Sequence, residues 1–209
     1  MKLLVIGASR GAGRLVLEEA LRRGHVVTAL VRDSRRLGGT SARVTEGDAL
    51  DPASVARAVA GQAAVITTLG PVATSPPELC SRATRILVQA MQAHGVRRLV
   101  MVTGAMVGHP RERLGLLYRL MLALAPGSFR ERLEDRRRSE RIVQDSGLDW
   151  TLVRPPRLTD DAPRGRFQAG EDLGLSSWAR MPRGDLAWFL VDEVERGQWR
   201  GRAVAVAEP

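Results

Sequence analysis

A short apolar run, Lys2 to Ile6, feeds into Gly7-Ala8-Ser9-Arg10-Gly11-Ala12-Gly13, and an amphipathic stretch follows at once, from Gly11 to Arg23. Three glycines at the spacing G-x-x-x-G-x-G, between a strand and a helix, serve a tight turn, close backbone approach and close packing of helix on strand. This joint constrains the fold more than any other feature, because it suits the first βα unit of a doubly wound sheet.

The rest of the chain keeps the same rhythm. Gly24 closes the first helix, and Val26 to Val31 reads as a second strand. A third strand covers Ala42 to Glu46, and Asp51-Pro52 opens a helix running to Ala60. Ala63 to Leu69 is a fourth strand, Pro77 to His94 a long helix ended by Gly95, and Arg98 to Thr103 a fifth strand. Two helical segments follow, Arg111 to Ala125 and Phe129 to Ser146, split by Pro126-Gly127. Trp150 to Arg154 reads as a sixth strand, stopped by Pro155-Pro156. A stretch rich in Gly, Pro and Asp, Thr159 to Gly174, is read as irregular, then a helix over Asp185 to Glu195 and a last strand over Ala203 to Ala207. Such alternation predicts an α/β fold: a parallel sheet with helices on both faces, one domain over residues 1–209, with pocket loops in 104–130 and 155–184.

The chain has 209 residues, 44% of them hydrophobic, enough for one sizeable core. A single cysteine, Cys80, excludes an internal disulfide framework and a multi-cysteine zinc site, so no metal is expected; a packing or surface role fits it. No cleavable leader or bilayer-length apolar run is read, so the chain is expected to be soluble and cytoplasmic, off the membrane, as a monomer or homodimer. The net charge of +9 invites a nucleic-acid reading. Against it stand 4% aromatic content and a single lysine, Lys2. The densest basic cluster, Arg136 to Arg138, is interleaved with Glu131, Glu134, Asp135 and Glu140, and this pattern is expected to form a solvated helix face rather than a nucleic-acid surface.

The glycine turn lies where backbone amides and a helix N-terminus favour a pyrophosphate. Arg32 ends the second strand where proteins preferring NAD carry an acid for the ribose, and Arg36 follows, so a 2′-phosphate and hence NADP(H) is expected. Arg10 adds a second cation. Asp33 either pairs with these arginines or touches the ribose. Asp48, with Ala49, is placed for an adenine ring, while Asp51 caps the next helix. Leu69, Gly70 and Pro71 leave room at the sheet edge. His25 and His94 stand beside helix-ending glycines, in cap positions.

Together these segments, with "MQAHGVRRLVMVTGAM", "QDSGLDW" and "RPPRLTD" in matching order, resemble the atypical short-chain dehydrogenase/reductases of the NAD(P)H-binding, NmrA-like branch, flavin and biliverdin reductases among them. The resemblance implies a Rossmann sheet with a dinucleotide extended along its carboxyl edge. Cofactor contacts would then fall on Gly7, Ser9, Arg10, Gly11, Ala12, Arg32, Arg36, Asp48, Ala49, Leu69, Gly70 and Pro71, with Thr103, Gly104 and Pro155 at the nicotinamide end. Three departures stand out: Arg10 where this branch usually has glycine, Gly104 in place of a serine after strand five, and Arg157 in place of a histidine after the double proline.

The Tyr and Lys pair of typical short-chain dehydrogenases is absent, since Tyr118 is followed four residues on by Leu122 and Lys2 is the sole lysine. Ketone chemistry through an activated phenol is therefore not expected. Reduction of a conjugated small molecule, such as a flavin, quinone or tetrapyrrole, asks less of the protein, because the acceptor spreads the arriving charge itself. Thr103 is the candidate catalytic group, orienting the carboxamide or a water, or else bonding the backbone at its strand end. Arg157 either binds an acidic substrate or pairs with Asp160 or Asp161, and His109 is a candidate acid in the pocket loop. The alternatives are a catalytically silent, cofactor-sensing regulator and a tailoring reductase or epimerase.

Overall fold

The computed structural model describes residues 1–72, 74–108, 116, 120, 123–176 and 178–209. In chain order the elements are β1 (Lys2–Ile6), α1 (Gly11–Arg22), β2 (Val26–Val31), a 3-10 turn (Ser34–Leu37), β3 (Arg43–Glu46), α2 (Pro52–Val59), β4 (Ala64–Thr67), α3 (Leu79–Ala93) and β5 (Arg98–Val102). There follow α4 (Ala105–Gly108), α5 (Gly127–Gln144), β6 (Asp149–Arg154), β7 (Arg157–Thr159), β8 (Gln168–Gly170), β9 (Arg180–Pro182), α6 (Arg183–Arg196) and β10 (Arg202–Ala207).

Eight strands form one sheet in the order β3-β2-β1-β4-β5-β6-β10-β8. Strand order reverses between β1 and β4, which makes the carboxyl end of β1 the switch point where a doubly wound sheet opens a crevice. Alternate side chains of each strand serve opposite faces. Leu3 and Val5 pack with Val16, Leu17, Leu186 and Leu190 under α1 and α6, whereas Leu4 and Ile6 pack with Val55, Leu87, Met91 and Val143 under α2, α3 and α5.

The sheet departs from the expected purely parallel one at its edge, where β8 runs antiparallel to β10, Ala205 opposite Gly170. β8 is Gln168-Ala169-Gly170 within the segment read as irregular, too short for a period of two to register. The same segment's flanks, β7 and β9, pair with each other in a separate two-stranded sheet. Of the helix read over 111–125, the described residues Leu116, Leu120 and Leu124 are exposed; Tyr118 and the candidate acid His109 lie outside the described residues.

Helix ends follow their sequence signals. Asp51 accepts from the backbone N–H of Ala53 and Ser54 at the start of α2. Gly24, at φ +79°, ends α1, and the His25 N–H returns to the Ala20 carbonyl. The His25 ring goes beyond a cap: its Nε2 meets Glu195 of α6 at 2.8 Å, beside Arg23, which meets the same carboxylate at 2.7 Å. On the same face of the sheet, Arg98 of β5 is 7% exposed and pairs at 2.7 Å with Glu193 of α6, 2% exposed. Burial pulls the Arg98 guanidinium down from its ordinary range, and Glu193 opposes that pull. Among the described residues, no helix is long and apolar enough to cross a membrane.

Candidate functional site

The first turn is built for close approach. Gly7 takes φ +90°, and a Cβ there would stand 2.9 Å from Thr68 Oγ1; a Cβ on Gly13 would overlap the Gly7 carbonyl oxygen. The Thr68 hydroxyl bonds the Ile6 carbonyl, so the ends of β1 and β4 are locked against the start of α1. Arg10 precedes that helix in extended conformation without a side-chain cap, and no acidic residue stands in the first turn. The leading N–H groups of α1 therefore keep their affinity for an anion.

These features border a groove of about 810 Å³ along the carboxyl edge of the sheet. Gly7, Ser9, Arg10 and Gly11 line it from the first turn, Arg32 and Arg36 from beyond β2, Asp48 and Ala49 from beyond β3, and Leu69, Gly70 and Pro71 from beyond β4. Ala12 is turned instead toward the core under α1. The two readings of Asp33 are separated by geometry: its carboxylate accepts from the Arg35 side chain at 2.9 Å and from the Arg35 N–H at 3.1 Å. The Arg35 hydrogen bond holds that carboxyl below its usual range, while Arg32 and Arg10 have no ion-pair partner among the described residues. Asp48 accepts from the Leu50 N–H at 2.8 Å, a local turn.

A second cavity of about 960 Å³ adjoins the groove, with Pro71 bordering both. Thr103, Gly104, Pro155 and Arg157 line this cavity rather than the groove. Its apolar wall is Met106, Val107, Phe129, Leu133, Pro156 and Trp178; its cations are Arg132, Arg136, Arg157 and Arg180. The Ala105 N–H donates to the Pro155 carbonyl and the Thr103 N–H to that of Val153, which fixes the end of β5 against that of β6.

Two expectations are corrected here. Thr103 is not bonded to backbone through its side chain: its hydroxyl donates to Glu140 Oε1 at 2.6 Å, and Arg154 holds both oxygens of the same carboxylate at 3.0 and 2.6 Å. Asp160 is paired with Arg183 at 2.5 Å, and among the described residues Arg157 has an ion pair with neither Asp160 nor Asp161.

Helix α5 is only in part a solvated face. Glu134 does pair with Arg137 and Arg141 on the surface. Asp135 and Glu140 are buried, however, and Asp135 accepts from the N–H of Cys80 and Ser81 at the start of α3. Arg136 enters the site, its Nη1 donating to the Thr103 carbonyl and its Nη2 lying 3.1 Å from where a Cβ would stand on Gly70. The signal was present in the spacing, since Leu133, Arg136, Glu140 and Val143 recur on one side of a helix. Beneath Arg136 lies a void of about 20 Å³ bordered by Cys80, whose thiol is pushed up by burial.

A sheet with this switch point, a glycine-built turn, an uncapped helix start and a basic groove define a dinucleotide-binding α/β protein. The chain belongs to the NAD(P)H-binding family, whose model matches residues 7–196. It is 27% identical to an uncharacterized protein of Bacillus subtilis, YwnB, over 99% of this chain and 98% of that one. A 3-diazoavenalumate denitrifying reductase of Streptomyces is 36% identical over 53% of this chain, a match spanning 40% of the relative's length. Among solved structures, ChuY, an anaerobillin reductase from Escherichia coli O157:H7, superposes with TM-score 0.85 at 24% identity, covering 100% of this chain and 98% of that one. The fold is thus that of a Rossmann-type NAD(P)-binding protein.

Proposed function

We propose that the protein is an NADPH-dependent reductase of a conjugated small-molecule acceptor, such as a flavin, quinone or tetrapyrrole. One observation carries this reading: the nucleotide groove and a largely apolar cavity meet at Pro71, with Thr103 and Gly104 on the cavity side of the seam. The residues present fit a nicotinamide dinucleotide, because the start of α1 has no cap of its own and opens on a groove that Arg10, Arg32 and Arg36 line with positive charge. Gly7, Ser9, Arg10, Gly11 and the Ala12 backbone would hold the diphosphate, Arg32 and Arg36 the 2′-phosphate, and Asp48 and Ala49 the adenine. Leu69, Gly70 and Pro71 would line the middle, and Thr103, Gly104 and Pro155 the nicotinamide end. Preference for NADP(H) over NAD(H) is supported by Arg10 and Arg32, cations with no ion-pair partner among the described residues.

The chemistry that such a cofactor supplies when bound is hydride donation. This chain's own contribution is positional and electrostatic. Phe129, Leu133, Pro156 and Trp178 offer flat apolar contact that excludes water from an acceptor's face. Arg136, fixed by the Thr103 carbonyl at the seam, stabilises negative charge developing on the acceptor. Thr103, with its hydrogen committed to Glu140, retains lone pairs to accept from a carboxamide. Arg157 lines the cavity with no ion-pair partner among the described residues and would meet a carboxylate or phosphate of the substrate. The proton comes from solvent, since no tyrosine and lysine pair stands in the chain. The name of ChuY, a reductase of an anaerobillin, is in keeping with such an acceptor. The single, buried cysteine suits a reducing compartment such as the cytoplasm.

The test is steady-state oxidation of NADPH in the presence of FMN, a quinone and biliverdin, with a simple ketone as control. Turnover well above background with a conjugated acceptor, and none with the ketone, is expected. Tight NADPH binding with no turnover across the panel would shift the reading to a cofactor-sensing regulator.

A further inference from the structure

Arg183 opens α6 and reaches over the glycine turn. Its Nε lies 3.8 Å from where a Cβ would stand on Gly11, and its Nη1 donates to the Asp160 carboxylate at 2.5 Å. Both side chains line the same groove as Arg10 and Gly11. The partners differ sharply in exposure, 27% for the Arg183 side chain and 91% for that of Asp160. The cation is seated by the fold, whereas the carboxylate stands in solvent.

The surroundings fix the cation in place. β7 and β9 pair so that Thr159 faces Pro182, the residue before Arg183. Asp185, 2% exposed in the first turn of α6, accepts from the N–H of Arg164 and Gly165 at 2.9 and 2.8 Å. The chain on both sides of Asp160 is thereby anchored beside Arg183, and among the described residues the side chain of Asp160 is held only by the ion pair.

Resting on the reading of the groove as an NADP(H) site, we propose that Arg183 is a diphosphate-binding cation and that Asp160 is its built-in competitor. An exposed carboxylate holds a guanidinium weakly, because both charges remain hydrated. A diphosphate over the start of α1 meets the same guanidinium together with uncapped backbone amides and Arg10, a set of charge-assisted donors that one carboxylate cannot match. Asp160 thus sets how much of the arginine's attraction is spent before the nucleotide arrives. Removing the two members of one ion pair should therefore move nucleotide affinity in opposite directions, which a merely structural pair would not do.

The experiment is fluorescence titration with NADPH of the wild type, Arg183→Gln, Asp160→Asn and the double variant, with inorganic pyrophosphate as competitor. Arg183→Gln should weaken NADPH about tenfold, and Asp160→Asn should tighten it about threefold. The double variant should bind as Arg183→Gln does, because Asp160 acts only through the arginine, and pyrophosphate should follow the same order. Unchanged affinity in Arg183→Gln, or unchanged or weaker affinity in Asp160→Asn, overturns the proposal. Thermal melting shows whether Arg183→Gln is folded; if it is not, Asp160→Asn, altered at an exposed site, decides alone. A wild type that binds neither NADPH nor NADH removes the groove reading itself, and the competitor role with it.

Discussion

The hydroxyl of Thr103 donates to Glu140 across 2.6 Å, and each of the two residues is only 5% exposed. This bond ties a residue of the cavity wall, just past the end of β5, to a carboxylate on α5 that Arg154 already grips. Thr103→Val keeps the shape and removes the donor, so it should cost about 1–3 kcal/mol in urea denaturation. Thr103→Ser should keep most of that stability.

The first turn admits no side chain at Gly13, where a Cβ would meet the Gly7 carbonyl and the Thr68 hydroxyl. Gly13→Ala should lower stability by about 1–3 kcal/mol through overpacking, and should weaken NADPH at least about tenfold by shifting backbone amides. Gly127→Ala, at an open position at the start of α5, is the control and should leave both unchanged.

Arg32 has no carboxylate partner among the described residues, and the neighbouring Asp33 is engaged by Arg35. Arg32→Glu should weaken NADPH on the order of a hundredfold while changing NADH only a few-fold. Parallel titrations read the difference, and equal losses would mean general damage to the groove.

Glu195 links α6 to Arg23 and His25. Burial alone would raise its carboxyl, but hydrogen bonds from Arg23 and His25 outweigh burial and hold it below its ordinary 4.5. A group depressed in the folded state contributes stability that is fully present above the unfolded value and is lost as pH falls through the folded one. Melting temperature should therefore fall as pH drops below 4.5, and Glu195→Gln should flatten that acid limb while lowering stability at neutral pH.

The groove at the carboxyl edge of the sheet was legible in the sequence because local chemistry specifies it. The glycine turn, the arginines after β2 and the Asp51 cap each work within a few residues of chain, and the structure brings Gly7, Arg10, Arg32, Asp48 and Pro71 to one groove. The adjoining cavity was less so, since it depends on contacts distant in sequence. Charge interleaving made α5 look solvated, yet Asp135 is consumed by the start of α3, Glu140 by Thr103 and Arg154, and Arg136 by the Thr103 carbonyl. Arg183 was likewise hidden, because nothing near it in sequence shows that α6 begins against Gly11.

Calorimetric titration of the wild-type protein with NADPH, then with NADH, asks whether the groove holds a nicotinamide dinucleotide and which one it prefers. One site per chain is expected, with micromolar or tighter affinity for NADPH and binding about tenfold weaker for NADH. No measurable heat with either nucleotide at millimolar concentration would contradict it.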